Sequence, residues 1–247
     1  MDDFSPKLKT MRPEFIGFAL MAALILAVLG GRIYWDQTHK IKSKNFGNLP
    51  PYIGRDLREW KIDPKEVAVF SSEQLSQLHQ KLLDAAGSID VNADQLDPWI
   101  IAGLMKHEIG DNQGARDAWE YASLIRPKNI VSFINLGDLY FHDLPNFPRA
   151  ELMYKTAIQN DAKVIRDYVS LSDLYRYSYQ SAGINPAAPL LEGLQKNPNN
   201  EDLTSYAAEY YEEIGNKTEA IFYFRKLMQI DPAKSSDVEQ TLKSLGA

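Results

Sequence analysis

The nearest approach to a catalytic motif in this 247-residue chain is His107-Glu108. It opens like H-E-x-x-H, the zinc-protease pattern in which two histidines one helical turn apart hold the metal and the glutamate acts as base. Asp111 stands where the second histidine belongs, no third ligand follows, and the chain contains no cysteine. His142 occupies a comparable place on a later helix, but two imidazoles alone make a poor metal site. There is no P-loop, no G-x-G-x-x-G and no G-x-S-x-G. Carboxylate pairs abound, as they do on the solvated faces of acidic helical proteins. No catalytic group, cofactor or metal is expected, and an enzyme is the least favoured reading.

The elements that carry these side chains are marked by small and aromatic residues. Trp99, Gly103, Ala115, Trp119, Ala122 and Pro127 fit two antiparallel helices. Small residues permit close approach and the tryptophans fill the seam. Gly110 stops the first helix and Pro127 ends the second. Phe133, Leu136, Gly137, Tyr140, Ala150, Tyr154 and Ala157 repeat the pattern. So do Ala207, Ala208, Tyr211, Gly215, Ala220, Phe224 and Pro232. Pro198 and Pro232 stand 34 residues apart. A hairpin of this size cannot bury its own apolar face and needs neighbours stacked on it. On these residues and this period, the stretch from Leu96 to Pro232 resembles the tetratricopeptide repeat (TPR) family. The resemblance implies an all-α solenoid of helical hairpins, at about 96–129, 130–164, 165–200 and 201–234. The second hairpin carries one extra residue in its turn, between His142 and Pro148. The third has a turn expanded from Tyr177 to Asn185, with Pro186 in the usual alanine position.

The resemblance also implies a groove lined by particular first-helix positions. These fall on His107 and Glu108, then on Asp138, Phe141 and His142. Arg166, Asp173, Arg176 and Tyr177 follow from the third hairpin, and Glu209, Glu212 and Glu213 from the fourth. Some members hold the C-terminal carboxylate of chaperones in a Lys and Asn clamp. That clamp is missing here, because Ile100 and Leu104 stand at its first-repeat positions. The groove is expected to be aromatic in the middle and acidic at its C-terminal end, suiting a basic or polar-aromatic protein segment.

Net charge is −6 and unevenly spread: residues 1–60 carry nine basic and six acidic side chains. The acidic remainder argues against nucleic-acid binding, which wants a basic face. After a polar tail, 1–14, the run Phe15–Gly31 has no charged residue over 17 positions. That is the short end of a spanning helix, and Ile33, Tyr34 and Trp35 extend it into the interface, giving a single-pass transmembrane helix over 15–35. A cleaved secretory signal is the alternative, with Val28 and Gly30 as weak −3 and −1 residues. Ala19, Ala23, Ala27 and Gly31 form a small-residue stripe suited to a homodimer. Lys7, Lys9 and Arg12 precede the span and Arg32, Lys40, Lys42 and Lys44 follow it, so the positive-inside rule does not settle orientation. The short N-terminal tail favours an extracytoplasmic repeat domain.

Residues 36–71 read as a tether, stiffened at Pro50-Pro51, with a short extended segment over Glu66–Phe70. The solenoid with its caps fills 72–247. Ser71 or Ser72 with Gln74 predicts a capping box for a leading helix whose apolar face is Leu75, Leu78, Leu82 and Ala86. Gly87–Asp94 is expected to be a loop. Ser236 and Glu239 predict a second capping box, opening a terminal helix with Val238, Leu242 and Leu245 inward. The chain is thus read as a non-enzymatic, membrane-tethered interaction scaffold. A chaperone-like envelope assembly factor is the alternative.

Overall fold

Glycine and alanine set how closely the helices approach. A Cβ placed on Gly103 would lie 2.1 Å from Nε1 of Trp119. The indole lies flat in that space, 2% exposed, and donates to the carbonyl of Ile100 at 3.2 Å. Gly137 makes the same room for Tyr154, whose ring a Cβ would meet at 2.6 Å. The third hairpin reverses the roles: Gly193, on its second helix, receives Tyr168 from its first. Ala115, Ala150, Ala187 and Ala220 are buried at the matching contacts of the second helices.

The structure is a computed structural model that describes residues 46–180 and 183–247. The tail 1–14, the expected span Phe15–Trp35 with its small-residue stripe, and the first part of the tether lie outside the described residues. Among the described residues no helix is long and apolar enough to cross a membrane. A leading helix α1 (Ser72–Val91) is followed by four hairpins. They pair α2 (Leu96–Glu108) with α3 (Asn112–Ile125), and α4 (Val131–Asp138) with α5 (Phe147–Asn160). Next come α6 (Ile165–Asp173) with α7 (Ala187–Lys196), and α8 (Glu201–Glu213) with α9 (Lys217–Ile230). Helix α10 (Ser235–Leu245) closes the series. Each helix packs chiefly on its neighbours in the chain, the contact pattern of a stacked repeat. The result is the all-α, solenoid-like stack of helical hairpins that the resemblance implies.

Turn chemistry keeps the register. Asp111, Asn146, Asn200 and Asn216 each accept the backbone N–H three residues on, capping the second helices of the first, second and fourth hairpins and the first helix of the fourth. Gly110 and Gly215, at φ of 79° and 73°, take the left-handed conformation that ends α2 and α8.

Four expectations need correction. The first concerns the tether. Its described part, residues 46–70, is a strap laid across the first hairpin, with Leu57 in the core at 6% exposure. Tyr52 packs on Trp99 and Tyr121, with ring centroids 4.9 and 5.4 Å away. Arg55 pairs with Asp117 at 2.9 Å, and Trp60 stacks on His79. Aromatic burial of this size outweighs the stiffness of Pro50-Pro51, whose first carbonyl accepts from the Tyr121 hydroxyl at 2.7 Å. Second, Glu66–Val69 is a single 3₁₀ turn, not an extended segment. Third, α1 does not stop at Gly87, because Ile89 continues the buried stripe of Leu82, Ala85 and Ala86. Its start is capped as expected, Ser71 and Gln74 forming a reciprocal box. Fourth, Ser236 lies inside α10 and does not cap it. Asp231 instead accepts from the N–H of Ala233, starting a 3₁₀ turn that leads into the helix. Val238 and Leu242 are buried as expected.

Candidate interaction face

The first helices of the second and third hairpins do not end as α-helices. Each widens into a π-helical turn, Leu139–Asp143 after α4 and Leu174–Ser178 after α6. Such turns absorb an extra residue without breaking the helix. The extra residue of the second hairpin therefore enters the helix and not only the connection. Leu139, Tyr140, Leu174 and Tyr175 are the buried side of these turns. Phe141 with His142, and Arg176 with Tyr177, are carried on the widened part.

The expected groove residues meet largely one another. His107 lies 3.0 Å from Asp143, on the π turn of the next hairpin. Asp138 pairs with Arg166, one hairpin further on, and accepts from the Tyr154 hydroxyl at 2.8 Å. Burial, then the neighbouring Asp138 carboxylate, push that phenol well above its ordinary range. Arg176 pairs with Glu213 of α8. Thus three polar contacts, two of them ion pairs, join successive first helices, one at each step of the stack. Arg176 is the most enclosed member, its side chain 14% exposed, with its guanidinium 4.9 Å from the ring centroid of Tyr177 and 5.5 Å from that of Tyr210. Its Nε is buried without a hydrogen-bond partner among the described residues.

The acidic end is weaker than the sequence suggests. Glu213 is matched by Arg176, and Glu209 accepts from the Ser205 hydroxyl at 2.9 Å. Glu108 and Glu212 are exposed. Asp173 is half-buried, and burial raises its carboxyl above the usual carboxylate range against the pull of Arg176 and His142. Of the aromatic middle, Tyr177 is 60% exposed, while Phe141 is partly buried and stacks on His142 with centroids 4.1 Å apart. Among the described residues no three His, Asp or Glu side chains are grouped to hold a metal ion.

Several important groups carried no readable signal. Asp167, at the start of α6, is fully buried with neither carboxylate oxygen hydrogen-bonded among the described residues. Burial, reinforced by Asp138 and Asp161 and opposed by Arg166, pushes its carboxyl up to about 7. Lys106 and Asp111 form a buried pair at 2.9 Å, and Lys106 also donates to the strap carbonyl of Glu59 at 2.8 Å. Asp143 and Tyr210 join the face as partners of expected residues. Only Asp143, beside His142 in the lengthened turn, could have been suspected from position.

No family model matches the chain, and no curated protein matches it. Among solved structures, a thermophilic TPR protein of Thermus thermophilus aligns at 15% identity and a TM-score of 0.45. The alignment covers 73% of this chain and 95% of that one.

Proposed function

We propose that this chain is a non-enzymatic interaction scaffold, tethered to a membrane through Phe15–Trp35, whose first-helix face receives a segment of a partner protein outside the cytoplasm. The observation that carries the reading is the pair of π-helical turns at equivalent places in consecutive first helices. Each carries an aromatic side chain, Phe141 stacked on His142 and Tyr177 beside the Arg176 guanidinium. Wide turns of this kind occur often where a helix meets a ligand. The three polar contacts bridge the first helices of successive hairpins, which already pack on one another, and a preformed face lets a partner lose less entropy on binding. Glu209, Glu212 and Asp173 give the C-terminal end its acidic character. A basic or polar-aromatic segment suits it, with specificity drawn from several weak contacts together.

A photo-crosslinking residue placed at Phe141 or Tyr177 of the full chain tests this in cells. The same partner should be trapped from both positions and not from Leu152, which is 57% exposed on α5. Trapping should fall as salt rises and in Glu209→Gln with Glu212→Gln. Equal trapping from Leu152 would remove the proposal. Retention of the full chain in membranes washed with carbonate tests the tether separately.

A further inference from the structure

The last hairpin turns an unusual face outward. On α9, Ala220, Phe224 and Leu227 are buried with Ala208, Val238 and Leu242. The other side carries Thr218, Phe222, Arg225, Lys226 and Gln229 along one surface, with Ile221 at its edge and partly packed against the buried cluster. Phe222 is 57% exposed, and Ile214, on the turn before α9, is 54% exposed. Among the described residues, Lys217, Arg225 and Lys226 take part in no ion pair. The acidic residue of α9, Glu219, acts on Tyr211 and Tyr223. A chain of net charge −6 therefore presents a basic face here, with Phe222 uncovered beside it.

Covering an exposed Phe is favourable, and adjacent cations without counter-charges attract anions. The shape narrows the choice of partner. All six side chains come from a single helix, so the surface is the flank of one helix and not a cleft between two. A peptide strand or helix binds best in a groove, whereas a planar surface needs none. Lys and Arg beside an exposed Phe on the outer side of a helix suits contact with anionic lipid.

We propose that the outward face of α9 rests on an anionic bilayer surface. Arg225 and Lys226 meet lipid phosphates, and Phe222 enters the boundary between headgroups and acyl chains. The proposal rests in part on the membrane tether proposed above, since a tethered body meets the bilayer intramolecularly and a weak contact then suffices.

The absence of cysteine makes the test direct. A nitroxide is attached to the full chain at Gln229→Cys, or at Val91→Cys on α1, where the native side chain is 86% exposed. Each protein is combined with phosphatidylcholine vesicles, with or without phosphatidylglycerol, and collisions with a water-soluble nickel chelate are measured. The label at 229 should be shielded severalfold only on the anionic vesicles, and the label at 91 on neither. Arg225→Gln with Lys226→Gln should shift the shielded population toward exposure by roughly 30-fold, with circular dichroism unchanged. Equal accessibility at 229 on both vesicle types overturns the proposal. So does shielding that requires added polyglutamate, which would assign the face to an acidic protein. A carbonate wash separates the two readings. A chain that is stripped off, yet shielded at 229 beforehand, has the surface contact without the tether. A chain that is retained, yet accessible at 229, has the tether without the surface contact.

Discussion

Two residues show how little freedom the seams allow. Gly103 has no side chain because the Trp119 ring occupies its place. The indole is rigid and hydrogen-bonded, so it cannot swing aside as a flexible side chain would. Gly103→Ala should therefore destabilise the protein by about 1–3 kcal/mol despite alanine's better helix propensity. Trp119→Ala should cost about 3–5 kcal/mol through loss of a buried aromatic. Urea unfolding measures both, and an unchanged midpoint in either would mean that the first hairpin packs differently. Asp167 acts through protons. Its folded-state carboxyl titrates at about 7, far above its ordinary 3.8, so the folded chain binds the proton more tightly than the unfolded one. Stability from this group is greatest below about pH 4, declines as pH rises toward 7, and is flat beyond. Asp167→Asn should be more stable than the parent at pH 8, on the order of a few kcal/mol, with the gap closing by pH 4 to 5. Melting curves at both pH values check the sign. A gap that widened in acid would mean that Asp167 is held as the anion.

At the scale of elements, the strap is the main departure from the sequence reading. Lys106 ties it down with one buried ammonium shared between the buried Asp111 carboxylate and the Glu59 carbonyl. Lys106→Ala should cost about 3–5 kcal/mol, because it strands a buried carboxylate. Adding Asp111→Asn to Lys106→Met should recover much of that, since the charges are then lost together. The hairpins were legible because small and aromatic residues recur at a fixed period. The strap was not, because Phe46, Tyr52, Leu57 and Trp60 follow neither a helical nor a strand period, and their partners lie far along the chain. A helical lysine followed by an aspartate reads as ordinary surface, so the buried pair was hidden as well. The π turns left only a count of one extra residue, with nothing to say whether helix or loop would absorb it. On the candidate face, residue positions were readable from the repeat register. Their mutual pairing was not, because it depends on which carboxylate of the next hairpin each cation reaches.

Across the whole body the same few fastenings recur between hairpins. Arg126 reaches back to the carbonyl and carboxylate of Asp94. Asn160 donates to the carbonyls of Pro127 and Asn129, and Asn197 donates to that of Ala162. Each holds the end of a second helix to the loop preceding its own hairpin, while the three polar contacts bridge the first helices. The apolar core is less continuous. One large cluster runs from Leu57 to Tyr210, whereas Ala208, Ala220, Phe224, Leu227, Val238 and Leu242 form a separate one around the last hairpin. A small third cluster joins Phe133, Ile134 and Ala157 within the second hairpin, and the separate cluster of the last hairpin gives that end its own threshold for opening. The amides of α9 and α10 should exchange with solvent deuterons faster than those of α2 and α3, through a local opening that leaves the N-terminal hairpins closed. Fraying would then begin at the C-terminal end, and the order of melting along the chain would follow the order of the hairpins in reverse. Hydrogen exchange resolved by peptide reads that order directly, and uniform protection across the four hairpins would show a single cooperative unit instead.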